Sequence, residues 1–437
     1  MKNDKPKEKR INRKEKISEA RRTNAKLYPI YKMFSWDLLF FYSIQFLFYT
    51  ITKKVTASEV LIINGFYLFF RIVCQLPAVI INDFFGKRKS IIFGNILLIF
   101  HLLILIFFPD AIGIILADLF FSLGYDMKII SESNLLYESV STRGGDGLYS
   151  KLDSKGGSLY YLLDAVASLM AGYLFVINNY LPLIICMFFL FISTIISFKF
   201  KEIERPSKNL GKIEINNLKE YMQDLKKYFK FIITSNRMKA FVLFAVMFYS
   251  IIKVAEVYRS DLLVNIGVPE QEFSIIFAVL NLISCISLSL RKNIEKKFKN
   301  RTLAFISLIF SGSCILIGVF STLIKNNIVM PLILTMYCIQ RASTSIWWVL
   351  ELKYLKNFTH EKIRNKLTFA YEVISGISAS IVSIFAGLLL KIISIENAFL
   401  ILGLISLALL TIILDYMRPR FGLRPKEYKK EDIEFEQ

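Results

Sequence analysis

Histidine is nearly missing from this 437-residue chain: only His101 and His360 occur. That sets aside a histidine-based metal centre or acid–base site, which draws on several imidazoles or on one placed beside a carboxylate. Cysteine is scarce too. Cys74, Cys186, Cys285, Cys314 and Cys338 all stand inside apolar runs, none in a Cys-x-x-Cys or metal-ligand spacing, so they read as small buried hydrophobes. No glycine-rich phosphate loop and no pair of catalytic acids in a loop is present, which argues against a membrane-embedded transferase or other enzyme, and no cofactor or metal is expected. The first 30 residues lack an apolar core, so they do not read as a cleavable signal peptide. Acidic residues are outnumbered: 35 Asp and Glu stand against 55 Lys and Arg, a net charge of +20.

What the chain does have is long apolar runs. Its mean hydropathy is +0.49, and stretches of about 20 apolar residues, each long enough for a helix to cross a bilayer, recur throughout. The reading is an all-α polytopic membrane protein with twelve transmembrane helices. The first six spans are expected near 33–52, 59–81, 90–108, 112–137, 157–177 and 183–200. The second six are expected near 238–257, 272–290, 303–323, 328–350, 367–393 and 398–417. Residues 1–32 read as a basic cytoplasmic tail, solvated and partly helical at best. Residues 33–200 and 238–417 form two six-helix bundles. Residues 201–237 form a linker in which Leu218, Tyr221, Met222, Leu225, Tyr228, Phe229 and Phe231 recur at helical spacing among lysines, as in an amphipathic helix on a membrane surface. Residues 418–437 form a second tail.

The positive charge is not a nucleic-acid signal. Most Lys and Arg fall in the two tails and in alternate loops, the bias that holds such loops and both termini in the cytoplasm. The chain is therefore expected in the plasma membrane as a monomer, with anionic lipid as a partner of its cytoplasmic face.

One loop organises the reading. Between the second and third apolar runs stands Gln75–Ser90, in which Asp83 closes one run, Gly86 permits a tight turn, and Lys87, Arg88 and Lys89 precede the next run. This stretch resembles the loop between helices 2 and 3 of the major facilitator superfamily, with Pro77, Asp83, Gly86, Lys87 and Arg88 matching. Val79 and Phe84 depart from it, at the places of the usual first glycine and first cation. Residues 131–139, with Glu132 and Glu138 in place of two aspartates, resemble a pattern of one branch of the same superfamily, as do Tyr149, Gly157 and the stretch from Tyr354 to Arg364. Residues 294–301 are a worn copy of the first loop, displaced by half the chain, which suits a doubled six-helix unit. The resemblance implies a transporter working by alternating access, with Asp83 capping a neighbouring helix start in one state and releasing it in the other.

Charges inside apolar runs are costly, about 2.5–3.5 kcal/mol each on insertion scales, so they need partners or a wet cavity. Arg71, Asp126, Glu132, Asp164, Glu256, Arg341 and Glu372 are the candidate substrate or proton residues. Counting helical rise places Arg71 and Asp126 at similar depth as one pair, and Arg341 and Glu372 as a second. Lys253 and Glu256, three apart, are expected to pair on one helix face. Asp37, Glu138 and Glu351 are expected to be solvated near the membrane surface. Of Trp347 and Trp348, at most one can face a cavity. Cavity-facing candidates that mix aromatics with few charges suggest efflux of amphiphilic compounds, and Glu132 and Asp164 are the candidates for coupling it to protons. Import of a small metabolite or peptide is the alternative, and a non-transporting receptor on the same scaffold stays open.

Overall fold

The computed structural model describes residues 5–140, 145–203, 223, 226–323, 329–357 and 364–423, and the regular structure among them is helical. The chain divides into two compact units, 1–48 with 73–214, and 49–72 with 215–437. In order, α1 is Lys5–Ser35, α2 is the single turn Gln45–Leu47, and a π-helical turn covers Phe48–Thr52. Then come α3 (Ala57–Phe85), α4 (Lys87–Phe107), α5 (Ala111–Val140), α6 (Gly145–Ile177) and α7 (Leu181–Phe198). The second half holds α8 (Asn236–Asn265), α9 (Glu270–Phe298), α10 (Arg301–Leu323), α11 (Val329–Asn357), α12 (Arg364–Leu390) and α13 (Ile395–Arg420).

Among the described residues, nine helices are long and apolar enough to cross a membrane. Three of the twelve expected spans do not meet that measure. The first, 33–52, is not a continuous helix: α1 ends at Ser35, the chain turns irregularly through a left-handed Phe40 (φ 67°), and only short turns follow. The fourth, α5, carries Asp118, Asp126, Lys128 and Glu132 within its length. The tenth, α11, carries Arg341 among hydroxyl side chains. Residues 49–72, expected in the first bundle, pack with the second unit. Most of the expected amphipathic linker lies outside the described residues. Its end, 226–234, is helical and buries Tyr228, Phe231 and Ile232.

Local sequence explains where the helices begin. α3 opens with a reciprocal capping box: the Thr56 N–H donates to Glu59 Oε2 (2.8 Å), and the Glu59 N–H donates to Thr56 Oγ1 (3.3 Å). Asp110 accepts from the Gly113 N–H (2.9 Å) at the start of α5, and Ser235 accepts from the Met238 N–H (3.2 Å) at the start of α8. Hydroxyls in apolar spans return their protons to the preceding turn, as Thr194 and Ser197 do to Leu190 and Thr194 carbonyls (2.7 and 2.6 Å). Large side chains such as Phe107, Phe188, Ile392 and Ile412 point outward in numbers that suit lipid rather than water.

In the first unit, α1 is packed rather than solvated, contrary to the tail expected from sequence. Tyr31 is fully buried with Ile91, Leu135 and Phe200, and Tyr28 with Leu136 and Val140. The reason is a distant set of polar partners. Lys32 pairs with Asp153, and the Tyr28 hydroxyl donates to the same carboxylate (3.0 Å). Asn24 donates to the Lys201 carbonyl (2.8 Å) and accepts from the Lys201 N–H (2.9 Å). Lys128 donates to the carbonyls of Ser35 and Trp36, closing the C-terminal end of α1.

The second unit packs the first half of α3 against α12 through glycines and serines. The Ser380 hydroxyl donates to the Gly65 carbonyl (2.8 Å) and the Ser58 hydroxyl to the Gly387 carbonyl (2.6 Å). Small residues let backbones approach closely, the usual means of joining helices where lipid removes the hydrophobic drive.

The turn at Gly86 is tied down by a residue that the sequence reading did not name. Gly86 sits at φ 84°, and the first two N–H groups of α4, from Lys87 and Arg88, donate to the two carboxylate oxygens of Glu202 at 2.9 Å each. A carboxylate facing open helix donors is favoured by hydrogen bonding and by the helix dipole together. Lys87 also pairs with Glu138, and Arg88 donates to the Phe198 carbonyl (2.8 Å). Glu138 is thus a half-buried partner rather than the solvated group expected. Glu202→Ala is expected to destabilise the protein by about 1–2 kcal/mol, the loss of a charged N-terminal cap, read as a lowered thermal midpoint in detergent; an unchanged midpoint would remove Glu202 from this role.

Candidate functional site

Four helices of the second unit build a charged cleft. α8 is apolar over most of its length but places Lys253, Glu256 and Arg259 three residues apart, so they lie along one side. Lys253 donates to Glu256 (3.1 Å), the pair expected from spacing. Arg259 follows one turn on, is buried, and stacks over the Phe277 ring of α9 at 5.3 Å. From α11, Arg341 donates to the Asn281 side-chain oxygen of α9 (2.9 Å), and Gln340 donates to Cys314 of α10 (3.2 Å). Glu256, Arg259, Gln340, Arg341, Thr344 and Phe310 line the space between them, which has room for about one water molecule.

Two tryptophans support the cleft without lining it. Trp347 is fully buried, with its ring edge-on to Phe244 and Phe248 (5.5 and 5.2 Å), so it packs the interior. Trp348 stands against Tyr249 (5.6 Å), with Lys253 Nζ 5.8 Å from its ring centre. Glu351 corrects the sequence expectation: it is buried, not solvated, and accepts a hydrogen bond from the Tyr371 hydroxyl, because α11 carries it beneath α12. Glu372 is exposed on α12, and its charge is felt at Glu351. Arg341, expected to meet Glu372, is engaged by Asn281 and shares its surroundings with Glu256 and Arg259.

The first unit holds a separate polar cluster. Glu132 is buried on α5, with Lys128 and Lys32 as its nearby cations. Ser131 donates to Asn82 (2.8 Å), while Tyr31 and Ser35 both donate to Asn95 (3.3 and 3.1 Å). Asp126 is buried on the same helix, and Asp164 is half-buried on α6 near Asp37. Asp37 itself accepts from the Leu38 N–H (3.0 Å). Arg71 belongs to the second unit and Asp126 to the first. The side chain of Asp83 lies outside the described residues. His101 is buried against Phe121, its Nδ1 2.9 Å from the Ala117 carbonyl, and packs the core.

Arg259 was missed in the sequence because the seventh span was drawn to end at 257. The three-residue spacing of Lys253, Glu256 and Arg259 was the signal that could have found it.

Residues 260–436 match the family model of the Major Facilitator Superfamily. Solved structures extend the likeness in fold over about nine-tenths of the chain. A nucleoside transporter, NupG, is similar at a TM-score of 0.66 and 12% identity, over 91% of this chain and 99% of that one. A POT family transporter in complex with 5-aminolevulinic acid is similar at 0.65 and 16%, over 94% and 96%. The chain has the fold of the major facilitator superfamily. The peptide transporter POT in complex with sulfate is a further similar structure, at 0.64 and 13%, over 93% and 94%. No curated protein matches the chain in sequence. The superfamily match by sequence starts after Arg259 and does not include the Gln75–Ser90 loop.

Proposed function

We propose that the chain is a secondary transporter of the major facilitator superfamily, not an enzyme, and that it takes up a small hydrophilic solute by alternating access. The observation that carries this reading is the cleft of α8 and α11, lined by two guanidiniums, a carboxylate and an amide. Such a lining suits a polar cargo that lipid excludes. It gives no support to expulsion of amphiphilic compounds, the first expectation from sequence. Similarity to a nucleoside transporter and to POT family transporters supports the same direction of reading.

Within it, Glu256 and Arg341 belong to the substrate site, and Glu132 and Asp164 are candidate proton carriers. Arg71, Asp126 and Glu372 remain proposed members of the charge network. Pro77, Asp83, Gly86, Lys87 and Arg88 form the switch loop, supported by the way Lys87 and Arg88, just after the turn at Gly86, tie α4 to Glu202, Glu138 and Phe198. In this reading the protein is a monomer of the plasma membrane, with both termini in the cytoplasm and anionic lipid against its basic face, as the charge bias of its loops supports.

Purified protein in proteoliposomes tests this. Gradient-driven uptake of labelled nucleosides, short peptides or small organic acids is expected, with a rate that differs between two pH values. Asp83→Asn is expected to cut the flux at least tenfold while the protein still assembles. Absence of flux for every class would overturn the transport reading, and full flux in Asp83→Asn would overturn the switch.

A further inference from the structure

The charges of the cleft do not balance. Glu256 is bonded by Lys253, which leaves Arg259 and Arg341 without an ion pair among the described residues. Arg341 is held by a neutral amide, and Arg259 by the face of an aromatic ring. Arg259 is 8% exposed, and its Nε has no hydrogen-bond partner among the described residues. The two guanidiniums line the same small cleft, with Glu256 as the carboxylate they share. Holding two like charges in a membrane-embedded interior with one shared carboxylate is unfavourable, and neither contact that positions them relieves it. A planar fork of N–H donors matches the oxygens of a carboxylate or a phosphate two at a time, which a buried single charge on lysine does not. The cleft they line has room for about one water molecule, so a carboxylate or phosphate enters only as the lining side chains draw apart, and a whole solute does not fit.

We propose that Arg259 and Arg341 form a clamp for one anionic group, carboxylate or phosphate, of the solute carried, with Thr344 beside them and the Lys253–Glu256 pair at its edge. Naming the ligand as cargo rests on the transporter reading above; the clamp itself is read by binding, without transport.

The test uses the full chain in lipid nanodiscs, with inorganic phosphate and acetate as probes, titrated by calorimetry and by thermal denaturation. Saturable binding of at least one probe is expected, weakened roughly tenfold or more in Arg259→Gln and in Arg341→Gln. Arg341→Lys separates the two sources: a lysine retains a phosphate as a point charge but loses the two-point grip on acetate. The unliganded protein supplies a second readout. Removing one of two repelling cations is expected to raise the thermal midpoint of Arg259→Gln above that of the parent, whereas an arginine kept only for packing would lower it. Binding of neither anion, unchanged affinity in both Gln variants, or a lowered midpoint in Arg259→Gln would each overturn the clamp. Binding without any flux in proteoliposomes would leave the clamp standing and remove the transporter reading instead.

Discussion

Glu256→Ala is expected to cost about 3 kcal/mol of stability and to abolish flux. Among the described residues that line the cleft the carboxylate is the single anion, set among Lys253, Arg259 and Arg341. Removing one partner of a buried pair leaves the other charge stranded, a loss of about 3–5 kcal/mol when burial is complete. Here the Lys253 and Glu256 side chains are 26% and 31% exposed, which argues for the low end. The sign is opposite to that expected for Arg259→Gln, although both substitutions remove a charge from one cleft. That opposition tests the electrostatic account against one in which each side chain merely fills space. Denaturation in detergent reads the effect. The double variant Lys253→Met, Glu256→Ala should regain part of the lost stability, because the stranded ammonium is gone, while flux stays absent. A loss below about 1 kcal/mol in Glu256→Ala would show that the pair is worth no more than a surface one.

The second large effect concerns the crossing of α4 and α5, the most extensively packed helix pair of the first unit. A Cβ on Gly94 would stand 2.7 Å from the Gly124 carbonyl oxygen and 3.0 Å from the Lys128 Cβ. A Cβ on Gly124 would stand 2.8 Å from both the Gly94 carbonyl oxygen and the Leu97 Cβ. These neighbours are backbone atoms and Cβ atoms, which cannot swing aside, so the helices themselves must separate. Gly124→Val is therefore expected to destabilise by about 3 kcal/mol, the upper end for overpacking, seen as a lower thermal midpoint. Separation would also draw Lys128 off the Ser35 and Trp36 carbonyls and loosen the end of α1. Gly312→Ala in α10 is the control. Nothing lies within 4 Å of the added atom, so a gain of up to about 1 kcal/mol from helix propensity is expected. Equal loss in both would discredit the close crossing.

Several of these features were legible along the chain. Apolar runs of membrane length, basic loops between them, and a glycine followed by cations at residue 86 were enough for the helical membrane class and the superfamily resemblance. The Lys253–Glu256 pair was legible too, since both residues sit on one helix and the spacing alone brings them together. Glu202 was not, because it reaches the start of α4 from more than a hundred residues away, and nothing near position 202 marks it as a cap. Glu351 looked solvated because distance along a span says how deep a residue lies and not what covers it; Tyr371 of a neighbouring helix decides that.

The basic first 35 residues show the same division in one helix. Their composition specified charge and some helical tendency, and charge suggested water. Tyr28, Tyr31 and Lys32 are nevertheless buried, because Asn95, Lys128 and Asp153 arrive from three other helices with hydrogen bonds and an opposite charge. By itself the sequence determined most of the apolar helices and which pairs meet on one helix, for these depend on local spacing and transfer from water, but not the break after Ser35. Which charges are neutralised, which helix ends are capped, and where two arginines are left facing one cleft were decided only by the tertiary structure, since each depends on groups brought together from distant parts of the chain.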